Sequence, residues 1–526
     1  MKLTVLFSRL TPLPADLRQS TLDVDSISDD SRTVKPGCLF VARSGSANDG
    51  RAFVADAIAR GAVAVLHTGS DPCAGHPDAA HVVRVPMPEG TDLVRFAGIL
   101  ADRLEGSPSE WLKVVGITGT NGKTTMAYLV QQFARAAGSP CGLIGTVAID
   151  DGAESTRASL TTPGPIDLAH ALGRMVRNGC SACAMEVSSH ALDQGRADAL
   201  QFHTAIFSNL TGDHLDYHKT MEAYAAAKQL LFRRLSPTGT AVINVDDPWS
   251  AVMMEGCTAN ILRCSVRAAG ETSSAGNPQC TATIHAAQLG WQDATFAGPW
   301  GSMRVHLPIV GRHNAMNALQ AVAAAWSIGV PVQVIEQALA SCAAPPGRLE
   351  PVTRPTDPFA VLVDYAHTDD ALLNVLTALR PLVGPGGRLV TVFGCGGDRD
   401  RTKRPRMMRV ACEHSDRVIV TSDNPRTENP EAIIDEVLTG QPTGASGAAR
   451  AAGKPAVEVI RQVDRAQAIA LAVTEARPGD IVLIAGKGHE DYQIIGTQTR
   501  PFDDRIEART ALSRGAGSAP RELVSG

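Results

Sequence analysis

Seven consecutive residues, Gly119-Thr120-Asn121-Gly122-Lys123-Thr124-Thr125, carry the strongest chemical signal in the chain. Glycines let backbone N–H groups wrap phosphate oxygens, Lys123 neutralises terminal phosphates, and the Thr124 hydroxyl is available to Mg²⁺. The strict form of this loop has a glycine where Ile117 stands, so the loop is a variant. The apolar run Leu112 to Ile117 precedes it, and Met126, Leu129, Val130 and Phe133 follow at helical spacing. Strand, glycine-rich turn and helix predict a βα unit that holds a nucleotide by its phosphates.

Weaker signals lie downstream. Glu186 stands near the end of the strand-like run Ala182 to Val187. Beside a phosphate-binding loop it is a candidate Mg²⁺ ligand; alone it reads equally as a solvated strand-end carboxylate. Asp213, His214, Asp216 and His218 place two carboxylates and two imidazoles within six residues. Such a set can hold metal or nucleotide, or serve as a polar loop that caps a helix. Lys228 lies in the helical run Ala225 to Leu231, and nothing local separates it from a solvated surface lysine. Beyond Pro345-Pro346-Gly347, four polar loops follow four apolar runs: Asp364-Tyr365-Ala366-His367, Gly394 to Asp400, Asp423-Asn424-Pro425-Arg426, and Gly486-Lys487-Gly488-His489-Glu490. Any one of them is an ordinary loop. Four on one edge point to a shared site, because open parallel sheets bind ligands where their strands end.

The elements that must position these groups read as α/β throughout. Before about residue 110, strands are predicted at Cys38 to Ala42 and Ala62 to Leu66, with a helix from Phe53 to Arg60 and a loop over 69–80. The middle region adds strands at Thr204 to Ser208 and Ala241 to Asn244, a surface loop over 267–280 and a helix from Asn314 to Ile328. The last region has strands at Ala360 to Val363, Arg388 to Phe393, Arg417 to Thr421 and Asp480 to Ala485, the grammar of a doubly wound parallel sheet. Three domains are expected: 1–110, a central P-loop nucleotide-binding domain at 111–344, and a C-terminal doubly wound (Rossmann-like) domain at 345–526.

Composition narrows the class. The 526 residues include 49 basic and 54 acidic side chains, a net charge of −5, with 44% hydrophobic and 20% charged residues. That excludes wholesale disorder and gives no global attraction to nucleic acid or anionic membrane. Aromatics at 4% are too few for repeated base-stacking platforms. The eleven cysteines are scattered apart from Cys180 and Cys183, a lone pair without the second half of a zinc site. They are expected to be reduced core thiols. Arg9 interrupts the short apolar N-terminus, and no apolar run is long enough for a membrane span, so a cytoplasmic protein without membrane insertion is expected.

Together these motifs resemble the Mur ligase family, ATP-dependent amide-forming ligases of peptidoglycan precursor synthesis. The resemblance runs from about residue 29 to 510. It is anchored by Asp30-Ser31-Arg32, Asp49-Gly50-Arg51, the loop at 119–125, Glu186 to His190, Asp213 to His218, Gly311 to Asn317 and the four C-terminal loops, the last read as Gly486 to Tyr492. It implies ATP as co-substrate, Mg²⁺ as cofactor, and UDP-N-acetylmuramoyl-L-alanyl-D-glutamate and meso-diaminopimelate as the partners joined, by a monomer. By the same resemblance, Asp29, Ser31, Ser46, Ala47 and Asn48 would meet the uridine end. Thr161, Thr162, Ser188, Gln194 and Arg196 would hold the muramoyl dipeptide. Gly119 to Thr125, Asn314, Arg348, Asp364 and His367 would hold ATP. Thr124, Glu186, His214 and a carbamylated Lys228 would serve the metal, with Lys123, Glu186, His214 and Lys228 forming the catalytic set. Arg399, Asp423, Asn424, Pro425, Arg426, Gly486 and Glu490 would take the incoming amino acid. The chain departs from the family at Leu160, where a polar residue is usual, at Asp369, where proline is usual, and in a Gly/Ala-rich insertion at 440–455.

The choice of amino acid has a charge argument of its own. Diaminopimelate carries a second carboxylate where lysine has none. Arg426 offers that carboxylate a two-pronged cation and repels a terminal ammonium, while Glu490 can accept from the distal amine. A solvent-side pairing of Arg426 with Glu428 is the plain alternative. L-Lysine as the substrate, a folylpolyglutamate-type ligase and a non-catalytic nucleotide-binding scaffold are the rival readings. The Asp30-Ser31-Arg32 region speaks against the second, and the joint presence of Lys123, Glu186, His214 and Lys228 against the third.

Overall fold

A computed structural model describes residues 1–8, 10, 14–43, 49–271, 277–442 and 456–516. Ser46, Ala47 and Asn48 lie outside the described residues, as does most of the 440–455 insertion. The polypeptide forms three α/β units in chain order, each built on its own sheet.

The N-terminal sheet is parallel, with the strands Ser26–Ser28, Cys38–Ala42, Ala62–Thr68 and Val83–Met87 side by side in that order. Alternation along Cys38–Ala42 serves two cores. Leu39 and Val41 face the helix Leu93–Leu104, while Cys38, Phe40 and Ala42 face the helix Val54–Ala59. The predicted helix from Phe53 to Arg60 is shorter, because Gly50–Phe53 turns as a 3₁₀ segment capped by the Asp49 carboxylate.

The central sheet has eleven strands. Its parallel middle places Lys113–Thr118, the strand before the phosphate loop, between Thr204–Phe207 and Ala182–Glu186. Helices Lys123–Ala136 and Arg312–Ser327 cover one face through Met126, Leu129, Ala318 and Leu319. Helices Pro165–Arg177 and Met221–Arg233 cover the other through Leu168, Leu172, Leu231 and Phe232. The sheet extends further than the sequence pattern suggests. Asn260–Ala268 and Cys280–Gln288 flank the expected surface loop, and the strands Trp291–Gly298 and Gly301–Leu307 continue the sheet antiparallel. Cys180 and Cys183 are buried free thiols at the start of Ala182–Glu186, as expected of core cysteines.

In the C-terminal unit the four expected strands appear as Ala360–Asp364, Ile481–Ala485, Leu389–Phe393 and Arg417–Val420, adjacent in that order and all parallel. Glu458–Arg461 adds a parallel edge, and the short Glu350–Pro351 an antiparallel one. The sheet is doubly wound. Helices Asp369–Leu379, Lys403–His414 and Pro430–Leu438 pack on Leu362, Leu389, Phe393 and Leu483, while helices Arg465–Thr474 and Asp504–Ala516 pack on Val361, Val363, Val392 and Val482. All four polar loops therefore leave the same edge of the sheet. Among the described residues, no helix is long and apolar enough to cross a membrane.

Candidate active site

The phosphate loop is shaped by two glycines with positive φ, Gly119 at +146° and Gly122 at +88°. A side chain at Gly122 would run into the Asn317 amide, and one at Gly119 into the Ser208 hydroxyl. The loop is pinned to the chain beyond Phe207: Thr120 N donates to Asn209 O at 2.9 Å and Asn121 N to Asn209 Oδ1 at 2.9 Å. The first-turn N–H groups of helix Lys123–Ala136 have no partner within the helix, and their residues line a cavity of about 460 Å³. Lys123 Nζ folds over the loop, 3.0 Å from Gly119 O and 2.9 Å from Thr120 O. A helix N-terminus with a lysine over it is an anion site.

Glu186 is buried on the same cavity wall and accepts from Thr146 N at 2.9 Å and Thr146 Oγ1 at 3.1 Å. His214 also lines the cavity, in a left-handed backbone conformation (φ +55°). Burial, reinforced by the charges of Lys123, His190 and Lys228 and opposed by Asp213, pulls its imidazole down to about 4, so the ring is neutral near pH 7. With 46% of its side-chain surface open, solvent tempers that effect. Lys228 lies behind the loop, fully buried, donating to Gly119 O at 2.8 Å with its ammonium over the Tyr224 ring. It is no solvated surface lysine: burial, and then the neighbouring Lys123 charge, hold it well below the usual lysine range.

Among the described residues, no cluster of three His, Cys, Asp or Glu side chains is set to hold a metal alone. The cavity wall does combine the Glu186 carboxylate, the Thr124 hydroxyl and the neutral His214 ring. Mg²⁺ keeps several waters and draws on one or two carboxylates plus phosphate oxygens, so this donor set fits it.

The C-terminal unit closes the far wall of this cavity. Arg348 Nη2 donates to Thr124 Oγ1 at 3.3 Å, and its guanidinium stacks 4.4 Å from the Tyr365 ring centre. Asp364 and His367 line the cavity, but each has a local task as well. Asp364 accepts from Leu349 N at 2.7 Å and Ala366 N at 2.8 Å, and His367 Nδ1 lies 2.9 Å from Tyr365 O. Asn314 and Asn317, one helical turn apart on Arg312–Ser327, also face the cavity and bond to each other at 3.2 Å. Asn317 was not singled out by sequence, although its i+3 spacing from Asn314 puts both on one face.

Thr161, Thr162, Ser188, Gln194 and Arg196 form one connected chain leading away from Glu186. Thr161 Oγ1 meets Thr146 Oγ1 at 3.0 Å, and Thr162 Oγ1 donates to Glu186 O at 2.9 Å. Ser188 N donates to Thr162 Oγ1 at 3.0 Å. Arg196 donates to Thr162 O at 3.1 Å and doubly to Gln194 Oε1, at 3.0 and 2.6 Å. In the N-terminal unit, Asp29 pairs with Arg43 at 2.7 Å, and the buried Ser31 donates to Asp56 at 3.2 Å. Neither side chain is idle.

The predicted amino-acid residues gather at adjoining strand ends beside the cavity. Asp423 and Asn424 are buried, Asn424 Nδ2 donates to Glu490 Oε2 at 2.9 Å, and Gly486 (φ +120°) brings its backbone close to Asp423. Arg426 Nη1 donates to Gly397 O at 2.7 Å. Glu428, the plain alternative partner of Arg426, instead pairs with the buried Arg404 at 2.8 Å. Arg399 stays exposed and does not join the buried cluster, but it flanks Gly396 together with Arg426. A residue missed by sequence is Lys487, which sits with no exposed surface among Asp423, Asn424 and Glu490.

Three family profiles match the chain: the Mur ligase family catalytic domain at residues 23–95, the Mur ligase middle domain at 117–325 and the Mur ligase glutamate ligase domain at 347–488. A protein of Synechococcus sp. (strain WH7803) named UDP-N-acetylmuramoyl-L-alanyl-D-glutamate--2,6-diaminopimelate ligase is 44% identical over 95% of this chain and 96% of its own. A solved structure of a ligase of the same name is 31% identical, covers 98% of this chain and 99% of its own, and superposes with a TM-score of 0.66. A MurF ligase from Thermotoga maritima in complex with ADP, at 16% identity and TM-score 0.61 over 94% of this chain and 99% of its own, shares the fold.

Proposed function

Because the chain belongs to the Mur ligase family, we propose that it uses ATP to join meso-diaminopimelate to UDP-N-acetylmuramoyl-L-alanyl-D-glutamate. The observation that carries this reading is the single cavity whose one wall is the phosphate loop with Glu186 and His214, and whose other wall is the strand-end loop Asp364 to His367 with Arg348. The loops at Asp423 to Arg426 and Gly486 to Glu490 adjoin it. A triphosphate, an acceptor carboxylate and an amine can meet between these walls.

The side-chain carboxylate of D-glutamate attacks the γ-phosphorus, forming an O–P bond while the bond to ADP breaks. The amine of diaminopimelate then attacks the acyl carbon, phosphate leaves with the C–O electron pair, and the amine gives up a proton. The chain contributes position and charge. Lys123 and the first-turn amides hold the phosphates. Thr161, Thr162, Ser188, Gln194 and Arg196 run from Glu186 toward the N-terminal unit, a path that suits the muramoyl dipeptide, with Asp29 and Ser31 at the uridine end. Glu186, Thr124 and His214 would hold Mg²⁺, which neutralises phosphate charge. Lys228 can serve a metal as a carbamate, in which its amine bonds to carbon dioxide and loses a proton. Burial, which disfavours the charged form of this amine, favours the addition. Closure of the C-terminal unit shields the acyl phosphate from water.

Diaminopimelate is favoured over lysine by Arg426, with Glu490 across from it for the distal amine. Purified protein with ATP, Mg²⁺ and the UDP-dipeptide is expected to release ADP over many turnovers only when meso-diaminopimelate is added. L-Lysine should support far less, and equal turnover with the two amino acids would refute the assignment.

A further inference from the structure

Lys487 has no exposed surface, yet it carries a charge in the middle of the proposed amino-acid site. Its Nζ donates to Asn424 Oδ1 at 3.1 Å, Asp423 Oδ1 at 3.3 Å and Glu490 Oε2 at 3.3 Å. All three partners belong to the proposed diaminopimelate set. The ammonium also fixes the Asn424 amide. Asn424 Oδ1 accepts from Lys487 and from Ile494 N at 3.0 Å, which directs Nδ2 to Glu490 at 2.9 Å.

Two carboxylates in one buried site repel, and one of them normally keeps its proton near neutrality. Burial raises Glu490, Asp423 raises it further, and Lys487 and Asn424 oppose the rise. The other charged and titratable groups around Glu490 include Arg465, Tyr365, Tyr492, Arg426, His489 against Tyr365, Arg157 over Tyr492 and, behind Tyr365, Arg348. Arg465 is engaged by both oxygens of Asp504, at 2.8 and 2.7 Å, and Arg426 and Arg348 are turned to Gly397 and Thr124. Lys487 is the cation that bonds both carboxylates.

We infer that Lys487 is a positioning residue for the incoming amino acid: its ammonium bridges the Asp423 and Glu490 carboxylates and offsets one of their two charges, so that the pair retains one net negative charge for the substrate's ammonium. The inference rests on the reading of this site as the diaminopimelate site. A site of two carboxylates without Lys487 would hold a shared proton and compete poorly for a cation. One carboxylate neutralised by Lys487 leaves the other free to accept.

The test is steady-state kinetics of the full chain bearing Lys487→Met, with Lys487→Gln as a second variant that keeps hydrogen-bond donors but no charge. Both are expected to raise KM for meso-diaminopimelate by at least about 10-fold near pH 7, with KM for ATP and for the UDP-dipeptide changed less than about twofold. The ratio of variant to unaltered KM should fall as pH rises toward about 9, because the shared proton then leaves. Taking the ratio cancels titration of the substrate itself. A packing role would give a ratio that does not move with pH, and that result overturns the inference. So does a Lys487→Gln protein that binds diaminopimelate like the unaltered chain, or a rise in all three KM values together. Absence of diaminopimelate-dependent turnover in the unaltered chain would instead remove the site assignment on which the inference stands.

Discussion

Arg426 adopts a left-handed backbone conformation (φ +52°) that few residues with side chains take. The strain is held by two backbone bonds, Arg426 N to Ile494 O at 3.1 Å and Gly496 N to Arg426 O at 2.7 Å. With Nη1 tied to Gly397 O, the guanidinium is aimed before any ligand arrives. Under the proposed function, its partner in binding is a carboxylate that lysine lacks. Arg426→Ala is therefore expected to raise KM for meso-diaminopimelate by roughly 10- to 100-fold, the value of a charge-assisted pair of hydrogen bonds, and to narrow the preference over L-lysine. Arg426→Lys should recover little, since an ammonium cannot make the two-pronged contact. Turnover with both amino acids measures this, and an equal loss for both would refute the role given to Arg426. The motif that contains Arg426 is visible in the sequence. Its aim is not, because Gly397 and Ile494 lie 29 and 68 residues away.

At the scale of elements, the phosphate loop depends on Gly122 for two separate reasons. Its φ of +88° disfavours any side chain, and a Cβ there would meet the Asn317 amide on the neighbouring helix Arg312–Ser327. Gly122→Ala is expected to push that helix and the loop apart, to raise KM for ATP by about 10-fold or more, and to cost stability of about 1–3 kcal/mol. KM for meso-diaminopimelate should hold, since Gly122 is remote from Asp423 and Glu490. ATP titrations and thermal unfolding check both halves, and an alanine variant with unchanged ATP affinity would refute the argument. The loop's position between strand and helix was legible because Lys113–Thr118 is apolar and helix Lys123–Ala136 is periodic. The C-terminal strands were legible for the same reason, being buried on both faces. Strands such as Cys280–Gln288 and Asn260–Ala268 were not, because much of each is half-buried or exposed and its sequence shows no clean alternation. Lys228 and Lys487 show the limit most clearly. Lys228 looks like a surface lysine in sequence and Lys487 like one more polar residue of a strand-end loop, and each is buried by contacts with segments distant in the chain.

For the whole molecule, a net charge of −5 gives no global attraction to ATP or the UDP-dipeptide, the two strongly anionic substrates of the proposed reaction, so under that proposal their capture rests on local cations such as Lys123 and Arg196 and on how the units come together. The C-terminal unit meets the central one through a few polar contacts. Arg348 reaches Thr124, and Arg157 pairs with Asp491 at 2.8 Å. Asp370, at the start of helix Asp369–Leu379, accepts from Asn121 Nδ2 at 2.9 Å and from Thr211 Oγ1 at 3.2 Å. One carboxylate thus joins the phosphate loop, the segment beyond Phe207 and the C-terminal unit. Burial raises its affinity for a proton, and the bonds from Thr211 and Asn121 oppose that. Asp370→Ala removes the only carboxylate that touches Asn121 among the described residues, while leaving Lys123, Glu186 and Arg426 in place. If these contacts hold the units in register, the variant should lose about 3- to 30-fold in kcat and in affinity for ATP, because misplacement of the two walls weakens every step that needs both. Binding of the UDP-dipeptide, assigned under the proposed function to the N-terminal and central units, should change less than about twofold. Calorimetric binding of the UDP-dipeptide beside steady-state turnover separates the two. Unchanged turnover would show that Asp370 is a bystander at the seam, and that closure depends on Arg348 and Arg157 without it.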